Sequence, residues 1–150
     1  MRVKVQEAPF DLGAESNSFA AKVAGAGAVV TFCGIVRDAD TGGLEAMEIE
    51  HYPAMTRSAI ERIVTQATER WSLHDTLVIH RFGRLEPGAL IMMVATAARH
   101  RADAFAAAEF LMDYLKSRAP FWKKEISGTG ARWVEARDTD EAALERWHSS

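Results

Sequence analysis

From Gly27 to Val36 the chain is apolar or β-branched at almost every position, the pattern of a strand buried on both faces. Further on, Met47, Ile49 and His51 alternate with Glu48 and Glu50, which predicts a strand with one wet face. Asp38 to Gly43, with aspartates, a threonine and paired glycines, reads as the turn between them. Pro53 stands where a helix begins, and Ile60, Ile63, Val64, Ala67 and Trp71 then follow helical spacing on one face. Leu77 to Phe82 and Leu90 to Ala97 are two further strands around the turn at Glu86-Pro87-Gly88.

An alanine-rich helix is expected from about Ala102 to Lys116, with Phe105, Phe110, Met112 and Leu115 on its buried side and Pro120 ending it. Lys123–Ile126 and Arg132–Ala136 read as a closing hairpin around Gly128-Thr129-Gly130. Asp138, three residues ahead of Glu141, predicts a short last helix. Strands in pairs between helices point to an α+β domain with a mixed or antiparallel sheet and flanking helices, not to a doubly wound parallel sheet. No repeat or linker divides the chain, so a single domain over 1–150 is expected.

Composition narrows the function classes. The net charge of −3 excludes a globally basic nucleic-acid binder, so any anion site must be local. One cysteine, Cys33, excludes an internal disulfide and a cysteine-built zinc site, and inside an apolar strand it reads as a small core residue. His51, His80 and His100 show no paired ligand spacing, so no metal is expected. No glycine-rich phosphate loop and no nucleophile elbow is present, and no cofactor is implied. The N-terminal residues lack a signal-type apolar core, and no stretch reaches the roughly 20 apolar residues of a membrane span. A cytoplasmic protein is the expectation.

The basic residues gather late: Arg99, His100, Arg101, Lys116, Arg118, Lys123, Lys124, Arg132 and Arg137, interleaved with Phe121, Trp122 and Trp133. Lys116 closes a helix, where the carbonyl end of the dipole favours a cation, so capping competes with ligand binding there. A turn at Ala119-Pro120 would fold Lys123 back towards Lys116. Two ammonium groups in a partly desolvated pocket depress one another's pKa, leaving one amine free to act as base or nucleophile while the other holds an anion. His100-Arg101, between a strand end and a helix start, suits a phosphate or carboxylate, with simple capping as the competing reading. Arg37, just past a strand, has a similar position.

The runs Gly34-Ile35-Val36-Arg37, Glu50-His51-Tyr52-Pro53-Ala54-Met55, Val78-Ile79-His80-Arg81, Arg99-His100-Arg101, Met112 to Glu125 and Arg132-Trp133-Val134-Glu135-Ala136-Arg137 together resemble the catalytic (large) subunit family of molybdopterin synthase. The resemblance spans about Gly27 to Trp147. It implies an α+β fold with an α/β-hammerhead-type element and a large-subunit homodimer. Each end of that dimer would bind a ubiquitin-like sulfur-carrier small subunit, giving a heterotetramer. The carrier's C-terminal thiocarboxylate would supply two sulfurs to cyclic pyranopterin monophosphate, forming the dithiolene of molybdopterin. By position, Lys116 would sit beside the thiocarboxylate and Lys123 at the pterin. Ile35, Val36, Arg37, His100, Arg101, Lys124 and Glu125 would line the substrate pocket, with Arg137 reaching in from the other large subunit. Ile35 stands where some members carry lysine, so only a backbone contact is expected there.

Two rivals remain from other classes. One is a non-catalytic adaptor that captures the tail of a ubiquitin-like carrier. The other is a single-stranded nucleic-acid module stacking bases on Phe121, Trp122 and Trp133, against which the net acidity and the expected burial of the tryptophans both count.

Overall fold

The computed structural model describes residues 1–134 and 138–148. In chain order the elements are β1 (Arg2–Gln6), α1 (Leu12–Ala21), β2 (Ala28–Ile35), β3 (Leu44–His51), α2 (Pro53–Trp71), β4 (Asp75–Arg81), β5 (Gly83–Leu85), β6 (Leu90–Ala98), α3 (Arg101–Ser117), β7 (Phe121–Ser127), β8 (Gly130–Val134) and α4 (Asp138–His148). The α+β class is as expected, but the strands form two four-stranded sheets, ordered β1-β4-β6-β2 and β5-β3-β7-β8. In the first sheet β1 runs parallel to β4 and the other pairs are antiparallel, whereas the second is antiparallel throughout.

The first sheet is covered on both faces. Val78, Val94 and Ala98 join a core with Ile60, Ile63, Val64 and Ala67 of α2 and Ala104, Ala107, Phe110 and Leu111 of α3. Leu77, Ile79, Met93, Ala95 and Ala97 point the other way and pack with Phe19 of α1. Two covers explain why β4 and β6 are apolar at consecutive positions instead of alternating. The buried Thr96 hydroxyl donates to the Ala104 carbonyl at 2.8 Å, fastening β6 to α3.

Two expectations about burial fail. The apolar run of β2 is not sealed: it is an edge strand paired only with β6, and Val29, Phe32 and Ile35 are 39, 42 and 57% exposed. Ala28 and Val30 pack against the core, while the face carrying Val29, Thr31 and Ile35 is left open. Cys33 is accordingly half-buried, and partial burial pushes its thiol pKa up. Phe105 of α3 is exposed, because it falls off the stripe made by Ala104, Ala107, Ala108, Leu111 and Leu115.

Three elements escaped the pattern reading. β1 has only Val3 fully inside. α1 buries only Phe19 and depends on Asp11, whose carboxylate accepts from the Ala14 N–H at 2.9 Å. β5 is three residues long. It continues from β4 through Phe82, and the positive φ of Gly83 (89°) lets the chain step from the first sheet into the second. Gly27 has a different constraint, since a Cβ there would collide with the Arg99 carbonyl. Pro53 opens α2 as expected, and α3 ends at Ser117, short of Pro120. The last helix lies on α3: the Trp147 indole packs against Trp71 and Phe110, and its Nε1–H donates to Asp113 Oδ2 at 2.7 Å.

Candidate active site

Lys116 occupies the last turn of α3, where the free carbonyls favour a cation. Arg118 closes the helix by donating its N–H to the Tyr114 carbonyl at 2.7 Å, and the Phe121 N–H then reaches back to Ala119 at 2.8 Å. That reversal leads directly into β7 and returns Lys123 towards Lys116. Lys123 pairs with Ile49 of β3, a residue only 1% exposed, so its stem leaves the sheet on a partly buried face. Burial lowers the Lys123 pKa, the charge of Lys116 lowers it further, and the carboxylate of Asp140 opposes both. The depressed amine of the pair is therefore Lys123.

Beside Lys123 lies an aromatic cluster of His80, His51, Phe82 and Phe121. His80 is buried, and its ring stacks on Phe121 at 3.7 Å with a 14° interplanar angle. Its Nδ1 lies 2.8 Å from the Arg81 carbonyl, so Nδ1 carries the hydrogen. Burial, opposed by the Arg81 hydrogen bond and reinforced by Lys123 and His51, holds its pKa down at about 4. His51 lies 4.5 Å from Phe82 and 6.0 Å from Phe121, and burial lowers its pKa as well. Because Phe121 and Lys123 are two apart on β7, the stack and the amine share a face. His80 and Asp140 escaped the sequence reading as neighbours of the lysines. His80 lies on another sheet, and no spacing signals contacts between sheets.

The remaining predicted residues divide by geometry. Glu125 shares the Lys123 face and pairs with Arg132 at 3.4 Å. It lies on the wall of a cavity of about 520 Å³ between the turn at 39–43 and the β7–β8 hairpin. Lys124 points to the opposite face, where its Nζ lies 5.0 Å from the centre of the Trp133 ring. Trp133 and Trp122 are 50 and 42% exposed, so the expected burial of the tryptophans fails for these two, which stand on the open face of the hairpin. Arg37 is largely exposed, 3.9 Å from Asp40. Val36 is buried, with its N–H donating to Ala89 and its carbonyl accepting from Gly88, so its side chain and N–H serve the fold. Ile35 is exposed.

His100 is the N-cap residue of α3, without a side-chain capping bond, and Arg101 follows it. Fifteen helical steps separate Arg101 from Lys116, about 22 Å along the axis. One chain thus joins Lys116, Lys123 and the face of Glu125, and leaves His100 and Arg101 at the far end of the helix. Arg137 lies outside the described residues. Among the described residues no three His, Cys, Asp or Glu side chains gather as metal ligands.

A family model described as "MoaE protein" matches residues 5–118. The chain belongs to the MoaE protein family. It is 67% identical over 147 residues to the molybdopterin synthase catalytic subunit of Cereibacter sphaeroides, an alignment covering 98% of this chain and 100% of that one. The fold matches the molybdopterin biosynthesis MoaE protein from Burkholderia ambifaria, with a TM-score of 0.84, 50% identity and 99% of both chains covered. It also matches a molybdopterin synthase structure from Staphylococcus aureus, with a TM-score of 0.80, 30% identity, and 88% of this chain and 96% of that one covered. The MoaE family model stops before Lys123, whereas the Cereibacter relative spans almost the whole chain.

Proposed function

We infer that this chain is the catalytic subunit of a molybdopterin synthase, a sulfurtransferase of molybdenum cofactor biosynthesis. Membership of the MoaE family and a relative of that name at 67% identity support the activity. The observation that carries the chemistry is the lysine pair: one exposed ammonium at a helix end beside a partly buried amine whose pKa is lowered. Both reactants are anions, a thiocarboxylate tail and a cyclic phosphate, and a local cationic pocket in an acidic protein suits both.

In this reading Lys116, being exposed, receives the C-terminal thiocarboxylate of a ubiquitin-like small subunit and holds its charge. Lys123, with the more easily deprotonated amine, serves as proton acceptor and donor where sulfur joins cyclic pyranopterin monophosphate. Each sulfur replaces an oxygen substituent of the pterin side chain, while water cleaves its bond to the carrier's acyl carbon and leaves the carrier as a carboxylate. Two such transfers give the dithiolene. Glu125 lines the same face, whereas Lys124, expected in the pocket, stands with Trp133 on the opposite face of the sheet, outside this chain's pocket. His100 and Arg101 are too far from the lysines of their own chain, so a homodimer supplies them, together with Arg137, from the second copy. Arg37, Ile35 and Val36 stand at the end of β2, where a ligand meets the Arg37 guanidinium and the backbone. With a carrier at each end the assembly is a heterotetramer. No helix among the described residues is long and apolar enough to cross a membrane. On the synthase reading the chain works in the cytoplasm.

The test mixes the purified chain with a thiocarboxylated carrier and the cyclic monophosphate, with mass detection of the dithiolene product. Lys116→Ala is expected to lower product formation at least about a hundredfold while the protein stays folded and still binds the carrier. Normal turnover by that variant would sink the assignment. A carrier-binding adaptor would instead form no product with the parent chain and would tolerate Lys123→Ala.

A further inference from the structure

The C-terminal helix α4 supplies none of the groups given a part in the chemistry, yet its last turn is held by two other helices at once. The Trp147 ring packs edge-on against Trp71 of α2 and Phe110 of α3, at 5.6 and 5.5 Å between ring centres. The Arg70 guanidinium of α2 lies 5.6 Å from the same ring and donates to the Trp147 carbonyl at 3.0 Å. On α3, Asp113 Oδ2 accepts from the Trp147 Nε1–H at 2.7 Å and pairs with Arg146 Nε at 3.3 Å. The Asp113 side chain is only 15% exposed, so water screens these contacts less than it does an open surface pair. Arg146 also reaches Glu109, one turn earlier on α3, at 2.6 Å.

The first turn of α4 is tied on the other side of Lys116. The Ser117 hydroxyl donates to the Asp140 carbonyl at 3.2 Å, and Arg118 pairs with Glu141 at 2.6 Å. Asp113 stands one turn before Lys116 on α3, and Ser117 and Arg118 directly follow it. α4 thus brackets the turn of α3 that carries Lys116, in a place where helices otherwise fray because their last carbonyls lack partners. We propose that α4 is a clasp on the C-terminal turn of α3, with Asp113 and Trp147 as positioning residues that set where Lys116 stands. Both act through the α3 backbone and touch no reactant. The consequence for turnover rests on the synthase reading, whereas the clasp itself does not.

The experiment is amide hydrogen exchange of the intact chain, read by NMR. The amides of Lys116, Ser117 and Arg118 are compared with those of Ala107 and Ala108 in the middle of the same helix. Asp113→Leu removes both contacts to α4 and should speed exchange of the last-turn amides about tenfold, with the mid-helix amides changed less than about twofold. Asp113→Asn keeps an acceptor for the indole and should restore most of the protection. Trp147→Phe keeps a ring and loses only the donor, so it should give about threefold, and it carries the test if Asp113→Leu fails to fold. Unchanged last-turn exchange overturns the clasp, and so does equal acceleration along all of α3, which would mark a contribution to global stability alone. In the product assay Asp113→Leu should lower the turnover number about tenfold with carrier binding kept, and Asp113→Asn should recover it. Full turnover despite a loosened last turn overturns the positioning of Lys116. A parent chain that makes no product fails the synthase reading and leaves the exchange result to decide the clasp, so the two failures are distinguishable.

Discussion

The two sheets are built from similar numbers of strands and do opposite work. In β1-β4-β6-β2 the central strands are covered by α1 on one side and by α2 and α3 on the other, and β6 is buried at eight of its nine positions. In β5-β3-β7-β8 only one face is partly covered, and β8 is exposed along its whole length. The first sheet can hold apolar side chains at every position. The second must alternate, and alternation is what sends Lys123 inward to the site and Lys124 outward onto Trp133. The proposed chemistry falls on the sheet that is half wet, against a scaffold that is dry.

That contrast predicts its largest effect in the scaffold. Leu77, fully buried on the α1 face of the first sheet, should cost about 2–5 kcal/mol of stability when changed to Ala, read as a lower denaturation midpoint. A loss as small as that of a surface change would mean that α1 does not seal this face.

The next effect lies at the seam where the sheets touch. His80 titrates near 6.5 when unfolded and at about 4 when folded. Between those values the unfolded chain takes up a proton that the folded one refuses. His80 therefore contributes stability in full above pH 6.5, and loses it as pH falls to about 4. The contribution is about 3 kcal/mol. His80→Phe keeps a ring against Phe121 and should flatten this part of the stability–pH curve. A curve of unchanged slope in that variant would place the acid sensitivity elsewhere.

The smallest effect belongs to the open face. Trp133→Ala removes an exposed ring and its contact with Lys124, and should change stability by less than about 1 kcal/mol. A larger loss would show that the hairpin face is not independent of the core.

The same contrast explains what was readable in the sequence. The dry strands, the amphipathic α2 and the reversal at Ala119-Pro120 were legible because each rests on local pattern or backbone restriction. β1 and α1 were not, since one buried valine and one buried phenylalanine leave no periodicity to detect. β2 read as buried because composition does not reveal whether a strand has one neighbour or two. In the site, the mutual effect of Lys116 and Lys123 followed from chain reversal and charge alone. The separation of His100 and Arg101 from the lysines followed only from the helix that stands between them. Asp140 acts on Lys123, and Lys123 on His80, electrostatically across different elements, and no residue spacing encodes such effects.

The central claim is that Lys116 and Lys123 act as one coupled pair. NMR titration of the Lys123 side chain, in isotope-labelled parent protein and in Lys116→Ala, tests it most directly. Removing the Lys116 charge should raise the Lys123 pKa towards that of an ordinary lysine without restoring it fully, because burial is the larger cause of the depression. A Lys123 titration that is identical in the two proteins would contradict the coupling, and with it the division of labour assigned to the two amines.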